Sequence, residues 1–168
     1  MSVDDTPPPA ADGSAPTVDT PAIRAARDAG VDIEVRVIER ARSLEEAASR
    51  LGVAPDRLLK TMVVRRADDD YLLVLVPGTR QIDWPKLRTH LGVSRLSMPD
   101  AEVARAATGY ERGTITPFGA TGSWPVLADA SIAGAGTVTV GGGAHGVSLR
   151  LDADTLIAAV DAEVVDLT

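Results

Sequence analysis

The sequence predicts a single α/β domain of the α+β type, with a mixed, mostly antiparallel central sheet flanked by helices. Segments with helical spacing of apolar residues alternate with short apolar runs typical of strands. Two of these runs, 61–65 and 71–77, are separated by the Asp-rich stretch 67–70, which is typical of a β-hairpin. Hairpins mixed with interspersed helices indicate helices packed on a mixed sheet. A length of 168 residues suits one domain.

Residues 1–19 differ in composition from the rest of the chain. They contain four prolines and four aspartates, and no lysine or arginine. The apolar content is too low to offset the entropy of ordering such a segment. We expect a disordered tail over 1–19 and a domain over 20–168; an arm that binds a partner is the alternative.

Capping residues mark the expected helix starts. Thr20-Pro21 combines an N-cap with a proline at the first helical position, and Gly30 ends that helix. Ser43 and Glu46 have the spacing of a capping box. A further short helical turn is expected over 55–59. The predicted N-caps are Thr20, Ser43, Asp83, Ser97 and Asp152.

The strands are predicted from alternation and from apolar runs. Val31, Ile33, Val35 and Val37 alternate along 31–38, which predicts a half-buried strand. The run 72–76 is apolar without interruption, so this strand is expected to be central and covered on both faces. Residues 113–123 lack periodicity and are expected to form a loop. Later strands are predicted over 124–129, 136–141, 146–151 and 163–167.

Composition excludes several classes of site. The chain has no cysteine, which excludes a disulfide framework, a thiolate zinc site and a cysteine nucleophile. It has two histidines, too few for a three-histidine metal site, and we expect neither metal nor cofactor. The net charge of −7 argues against broad electrostatic binding of nucleic acid. No apolar run or N-terminal pattern suggests a membrane span or a signal peptide, so a cytoplasmic location is expected.

Three features could carry chemistry. Lys60 lies between a helical turn and a strand with apolar neighbours, where it is either a lysine reaching for water or a partly buried cation aimed at a phosphate or carboxylate. The segment 110–119 has two glycines and a proline that fix its backbone, and it is either a tight surface turn or a loop whose N–H groups hold a carbonyl oxygen or an anion. The segment 140–146 is a Gly-rich hairpin turn that contains His145.

These features occur in the order and spacing of a known family. Leu59-Lys60-Thr61 enters a strand, Thr108-Gly109-Tyr110 leads to Gly113, and Thr116-Pro117-Phe118-Gly119 follows. Asp129 comes after a strand, and Val140-Gly141-Gly142 forms a turn. Over about 20–168 the chain resembles the prolyl-tRNA editing domain family, the YbaK-like aminoacyl-tRNA deacylases.

The resemblance implies a free-standing, trans-acting enzyme of the YbaK/prolyl-tRNA synthetase-associated fold. Such enzymes hydrolyse the ester between a wrongly attached amino acid, such as Ala or Cys, and the 3′ end of proline tRNA, without a metal. The implied partners are tRNA, contacted at its acceptor end, and a prolyl-tRNA synthetase, and a monomer or weak dimer is expected. The implied catalytic residues are Lys60, Gly113, Thr114, Thr116, Pro117 and Gly119, and the implied substrate-binding residues are Thr61, Tyr110, Phe118, Asp129, Gly141, Gly142 and His145.

One residue departs from the family pattern. Many members have glycine where this chain has Thr114, which could alter the oxyanion site or narrow the amino-acid pocket. Two other functions stay open: a non-catalytic aminoacyl- or nucleotide-binding module, in which Thr114 disables turnover, and a hydrolase of small aminoacyl esters without tRNA. The acidic net charge is in tension with tRNA binding, which a weak contact to the acceptor end or help from a synthetase partner would reconcile. The candidates for a basic rim, which are otherwise scattered solvated charges, are Arg57, Lys60, Arg65, Arg66, Arg80, Lys86, Arg88 and Arg112.

Overall fold

The structure, a computed structural model, describes residues 18–168. It contains helices α1 (Pro21–Asp28), α2 (Leu44–Leu51), α3 (Trp84–Leu91), α4 (Ala101–Thr108) and α5 (Ala153–Ala159). Its strands are β1 (Glu34–Val37), β2 (Leu59–Ala67), β3 (Asp70–Pro77), β4 (Val126–Asp129), β5 (Thr137–Gly141), β6 (Val147–Asp152) and β7 (Glu163–Val165). A short 3₁₀ helix, Pro55–Arg57, precedes β2, and a second, Ala130–Ile132, follows β4. Residues 1–17 of the expected tail lie outside the described residues.

The predicted fold class is confirmed. The described strands form two sheets, a three-stranded sheet of order β1-β6-β5 and a four-stranded sheet of order β2-β3-β4-β7. The β1–β6, β5–β6 and β2–β3 pairs are antiparallel, whereas β3–β4 and β4–β7 are parallel. A parallel bridge between Leu58 and Thr139 connects the two sheets. As predicted, β3 is central, and Tyr71 to Pro77 are all buried.

Helices cover both faces of the two joined sheets. On one face, α1, α4 and α5 pack on a core that includes Leu59 and Val63 of β2 and Val138 and Val140 of β5. On the other face, α3 packs over β2, β3 and β4, and α2 packs over Leu58. Side chains alternate along a strand, so Lys60 points to the second face, between the regions that α2 and α3 cover. No helix among residues 18–168 has the length and apolar character needed to cross a bilayer.

Four of the five predicted N-caps are confirmed, and one is wrong. The side chains of Thr20, Ser43, Asp83 and Asp152 each accept a backbone N–H bond in the first turn of their helix. The helix predicted to start at Ser97 instead starts after Asp100, whose carboxylate accepts from Val103 N at 2.8 Å. Ser97 exchanges two backbone hydrogen bonds with Arg65, of 2.7 and 3.1 Å, and is therefore bound to the edge of β2.

The first strand is shorter than predicted. Val31 N donates to Ala26 O at 3.0 Å, so Val31 belongs to the C-terminal capping structure of α1. Only Glu34–Val37 pairs with β6, and Val37 is 40% exposed. The alternation over 31–38 thus combines a capping contact with a short edge strand.

Candidate active site

A cavity of about 440 Å³ lies on the second sheet face, beside α2. Its walls come from the segment 38–44, the first residues of β2, the loop 112–115 and the turn 140–148. Of the residues predicted to form the site, Lys60, Thr61, Gly113, Gly141 and His145 line it. The structure therefore brings together the lysine, the start of the 113–119 loop and the Gly-rich turn.

Lys60 is held at the edge of this cavity by β2, where it pairs with Val76 of β3. Its side chain is half-buried, and burial lowers the pKa of its ammonium group below the ordinary value of 10.5. Among residues 18–168, no carboxylate lies within 4.0 Å of the ammonium. The cation is thus available to an anionic or carbonyl group of a ligand.

Lys60, Gly141 and Ser148 line the same cavity. Lys60 and Gly141 each follow by two residues the isolated parallel bridge of Leu58 with Thr139, which joins their strands. Gly141 in turn pairs directly with Ser148 of β6. Residues in register point to the same face, so Gly141 leaves the space between the lysine and the serine without a side chain.

Gly141 also allows the 113–119 loop to approach the sheet. A Cβ atom at this position would lie 3.1 Å from the carbonyl oxygen of Ile115 and 3.4 Å from that of Thr114. Any side chain at residue 141 would therefore push against the loop backbone.

Replacing Gly141 with alanine is expected to shift the loop by a few tenths of an ångström, and replacement with valine by more. Small misplacements of reacting groups are costly in rate. For the deacylation that the family resemblance implies, we therefore expect roughly a 10-fold loss of kcat for Gly141→Ala and a larger loss for Gly141→Val, and both variants should fold. Steady-state kinetics and circular dichroism of both variants would check this. A Gly141→Val protein with wild-type kcat would contradict the placement of the loop.

The loop itself is fixed from inside the core. Tyr110 is buried and donates a hydrogen bond from its hydroxyl to Phe118 O at 2.7 Å, and burial raises its pKa to about 12. Gly119 packs against Pro21 O at the start of α1, where a Cβ atom would lie at 2.5 Å. Thr20 donates to Gly142 O at 2.6 Å, which ties the Gly-rich turn to the same helix. Tyr110, Phe118, Gly119 and Gly142 therefore support the cavity without lining it.

Thr114 points away from the cavity. Its hydroxyl and its N–H both donate to Glu111 O, at 2.8 and 2.9 Å, and the residue is 3% exposed. The positive φ of this turn, 89°, is at Gly113, so a side chain is accommodated at residue 114 without backbone strain. Within residues 18–168, the N–H groups of Gly113 and Ile115 donate to no protein acceptor, and both residues line the cavity.

Other predicted site residues lie elsewhere. Pro117, Phe118 and Gly119 line a separate hollow beside α1 and Trp124. Thr116 is fully buried, and its hydroxyl has no partner within residues 18–168. Asp129 is 1% exposed and accepts bonds from Leu167 N at 2.9 Å, Ser131 N at 3.2 Å and the Thr168 hydroxyl at 3.2 Å. These contacts anchor the segment after β7 and leave Asp129 outside the cavity.

The cavity is cationic although the chain is acidic overall. Arg40, Arg42, Lys60 and Arg112 line it, and its lining within residues 18–168 contains no Asp or Glu. His145 also lines it and contacts the carboxylate of Glu111 at 3.2 Å. Of the predicted basic rim, only Lys60 and Arg112 lie here. Arg80 instead lies 3.9 Å from Asp129, and Lys86 pairs with Asp166 at 3.1 Å.

Sequence reasoning missed several residues of the cavity, among them Arg40, Arg42 and Ser148. Arg40 and Arg42 come from the segment between β1 and α2, which has no periodicity that marks a site. Ser148 occupies a polar position in the alternation of β6, but it is only 8% exposed, and its hydroxyl has no partner within residues 18–168. No group of three or more metal-ligating side chains is present in the same range.

The aminoacyl-tRNA editing domain family matches residues 38–159, which contain the whole cavity lining. The chain belongs to this family. The resemblance noted from its sequence motifs is thereby confirmed.

The relatives include synthetases and free-standing proteins. A proline–tRNA ligase of Moorella thermoacetica is 38% identical over 91 residues, which cover 54% of this chain and 16% of the ligase. EbsC of Enterococcus faecalis, a candidate Cys-tRNA(Pro)/Cys-tRNA(Cys) deacylase, is 24% identical over 75% of this chain and 77% of that protein. The crystal structure of a candidate trans-editing enzyme for prolyl-tRNA synthetase superposes with a TM-score of 0.80 at 25% identity, covering 90% of this chain and 99% of the other. The chain thus spans only a small part, 16–19%, of the first ligases it matches.

Proposed function

We propose that this protein is a trans-acting aminoacyl-tRNA deacylase. It would hydrolyse the ester that joins a wrongly attached amino acid to the 3′ end of tRNA, with proline tRNA carrying Ala or Cys as the expected substrate. The observation that carries the proposal is the cationic cavity in which Lys60 faces Gly113, Ile115 and Gly141. Family membership supports the reaction, and the near-complete coverage of a candidate trans-editing enzyme supports action in trans.

The cavity offers groups that can bind an ester and stabilise the charge that develops during its hydrolysis. The N–H groups of Gly113 and Ile115 would hold the ester carbonyl and stabilise the oxyanion that develops on it. Lys60 would bind the terminal ribose or phosphate and orient the ester toward the loop. A water molecule, positioned with the help of the substrate's own 2′-hydroxyl, would attack the carbonyl carbon. The bond from that carbon to the ribose 3′-oxygen would then break, with a proton of the water passing to the 3′-oxygen, to leave the free amino acid and the 3′-hydroxyl of the tRNA. The N–H of Thr114 takes no part because it donates to Glu111 O.

The charge of the cavity supports an RNA end as its ligand. Arg40, Arg42 and Arg112 are exposed around the half-buried Lys60. Arg40, Arg42, Lys60 and Arg112, in a wall to which residues 18–168 contribute no carboxylate, would attract the terminal phosphates of tRNA, even though the chain carries a net charge of −7. A volume of about 440 Å³ falls within the range of pockets that bind small molecules and can take a terminal aminoacyl nucleoside. Because tRNA is the proposed substrate, we place the reaction in the cytoplasm.

The position of Thr114 bears on the rival function of a non-catalytic binding module. That alternative rests on Thr114 disabling the oxyanion site. The side chain turns back to Glu111 O, which leaves the cavity wall to Gly113 and Ile115 and supports turnover.

One assay separates the proposed function from its rivals. The protein would be incubated with proline tRNA charged with Ala, Cys or Ser, and separately with a free alanine ester. Release from tRNA alone supports editing, equal release from both supports a small-ester hydrolase, and release from neither supports the binding module. We expect release from tRNA, falling steeply as NaCl is added.

A further inference from the structure

A second basic hollow, of about 360 Å³, lies at the far end of β2 from Lys60. Four arginines line it: Arg65 and Arg66 at the end of β2, Arg88 in the last turn of α3, and Arg95. At about 3.3 Å per residue, the five residue steps from Lys60 to Arg65 span roughly 17 Å. One strand therefore connects the cavity to a second cluster of positive charge.

Two of these arginines already have acidic partners. Arg66 makes two bonds to Asp70, of 2.9 and 3.1 Å, and Arg65 pairs with Asp68. The first contact raises the pKa of Arg66 and lowers that of Asp70. These pairs hold the ends of the β2–β3 hairpin in a defined geometry. Within each pair, the carboxylate largely neutralises the charge of the arginine.

The other two arginines provide the excess charge. Within residues 18–168, Arg88 and Arg95 form no ion pair and no side-chain hydrogen bond. They lie around the same hollow as the exposed hydroxyls of Ser94 and Ser97. Guanidinium groups and hydroxyls are the groups that contact phosphate oxygens in nucleic-acid complexes.

The lining also indicates which kind of phosphate the hollow takes. Among residues 18–168, it contains no aromatic side chain, and its only apolar residues are Ala67 and Leu96. A nucleobase would find no stacking surface there, whereas a sugar–phosphate backbone needs none.

We propose that the hollow of Arg65, Arg66, Arg88 and Arg95 binds backbone phosphates of the tRNA whose aminoacyl end enters the Lys60 cavity. This proposal rests on the proposed function in its choice of RNA, and it adds a second contact, independent of sequence, about 17 Å from the lysine. The contact gives an acidic protein a second point of attachment to its substrate without a broadly basic surface.

The test compares two sets of charge-removing variants in the full chain. Arg88→Ala/Arg95→Ala removes both unpaired cations of the hollow, and Arg95→Ala removes one. Arg27→Ala is the control matched to Arg95→Ala, since Arg27 is also exposed and lies outside the cavity and the hollow. Binding of uncharged proline tRNA is measured by titration at several NaCl concentrations, and hydrolysis is measured on Ala-charged tRNA and on an alanyl ester of adenosine.

The double variant is expected to bind tRNA about 5- to 30-fold more weakly. The slope of log K against log [NaCl], where K is the association constant for tRNA, should be less steep by about 1.5–2. Arg95→Ala should show a smaller loss, Arg27→Ala should match the wild type, and hydrolysis of the adenosine ester should be unchanged in all three variants. Unchanged tRNA binding by the double variant would overturn the proposal, as would an equal loss of activity on tRNA and on the ester.

Two further measurements distinguish RNA binding by the hollow from binding of a free nucleotide and from failure of the proposed deacylase function. Titration with AMP tests for a free nucleotide: AMP binding that is lost in the double variant would assign the hollow to a small ligand and overturn the proposal. If the wild type hydrolyses no substrate, the proposed function fails, yet the titration of uncharged tRNA still decides whether the hollow binds RNA.

Discussion

Replacing Lys60 with alanine is expected to lower the rate of deacylation by about 100-fold or more without unfolding the protein, because Lys60 orients the ester toward the loop and a misplacement of reacting groups by about 1 Å costs on this scale. The loss should appear under single-turnover conditions, where release of product does not limit the rate. Lys60 is half-buried and forms no ion pair within residues 18–168, so its removal breaks no structural contact of that kind.

The chain provides a matched control for this prediction. Lys86 is the second of its two lysines and pairs with Asp166 at 3.1 Å, outside the cavity. Lys86→Ala removes the same charge and should deacylate at the wild-type rate. A folded Lys60→Ala protein with wild-type activity would show that the cavity does not work through this lysine.

The pH dependence of the rate provides a second test of Lys60. Burial lowers its pKa below 10.5, so the ammonium loses its proton at a lower pH than an exposed lysine would. After subtraction of spontaneous ester hydrolysis, the enzymatic rate should fall on the alkaline side as the charge is lost. Lys60→Arg should remove this fall, since a guanidinium stays charged throughout the range, although its shape should lower the maximal rate.

Replacing Asp129 with alanine is expected to cost about 3 kcal/mol of unfolding free energy, because several buried donors lose a charged acceptor. Leu167 N, Ser131 N and the hydroxyl of Thr168 all donate to this carboxylate. For a chain of this length the loss corresponds to roughly 6–12 °C in Tm. Asp100→Ala, which removes the single capping bond to Val103 N, should cost only about 1 kcal/mol.

The stability that Asp129 provides should depend on pH. Burial alone would raise its pKa, but the hydrogen bonds from Ser131, Leu167 and Thr168 outweigh burial and hold the pKa below 3.8. A lowered pKa in the folded state means that the contribution is complete above about pH 4 and is lost as pH falls through the folded value. The difference in unfolding free energy between wild type and Asp129→Ala should therefore shrink under strongly acidic conditions.

The same variant separates a structural role from the substrate contact that the sequence suggested. Asp129 lies outside the cavity, so Asp129→Ala should deacylate normally at temperatures where it is folded. A variant that is fully stable but inactive would instead restore Asp129 to the site.

Local signals allowed most of the fold to be predicted. Thr20, Ser43, Asp83 and Asp152 begin helices because a short polar side chain can satisfy the first free N–H groups from within its own turn. Ser97 failed as an N-cap because its backbone pairs with Arg65, a partner 32 residues away that local pattern does not show. The parallel pairing of β4 with β3 and β7 depends on similar long-range contacts.

The candidate site was predicted only in part, because some of its residues are marked by local sequence signals and others are brought to the cavity by long-range packing. Lys60, Gly113 and Gly141 were identified because glycines and an isolated lysine stand out in the sequence and fit the motifs of a family. Arg40 and Arg42 were missed because only the packing of α2 over the sheet brings the preceding segment to the cavity. Ser148 was not identified because alternation along a strand predicts which face a side chain takes but not what covers that face.

A crystal structure of the protein with a non-hydrolysable substrate analogue tests the assignment of the site most directly. The analogue would be cytidylyl-adenosine that carries alanine through an amide at its 3′ end. The account predicts that the amide carbonyl lies within hydrogen-bonding distance of the N–H of Gly113 or Ile115, with the ammonium of Lys60 on the ribose or the phosphate. An analogue bound outside this cavity, or bound in it with its carbonyl turned away from the loop and no contact to Lys60, would contradict the account.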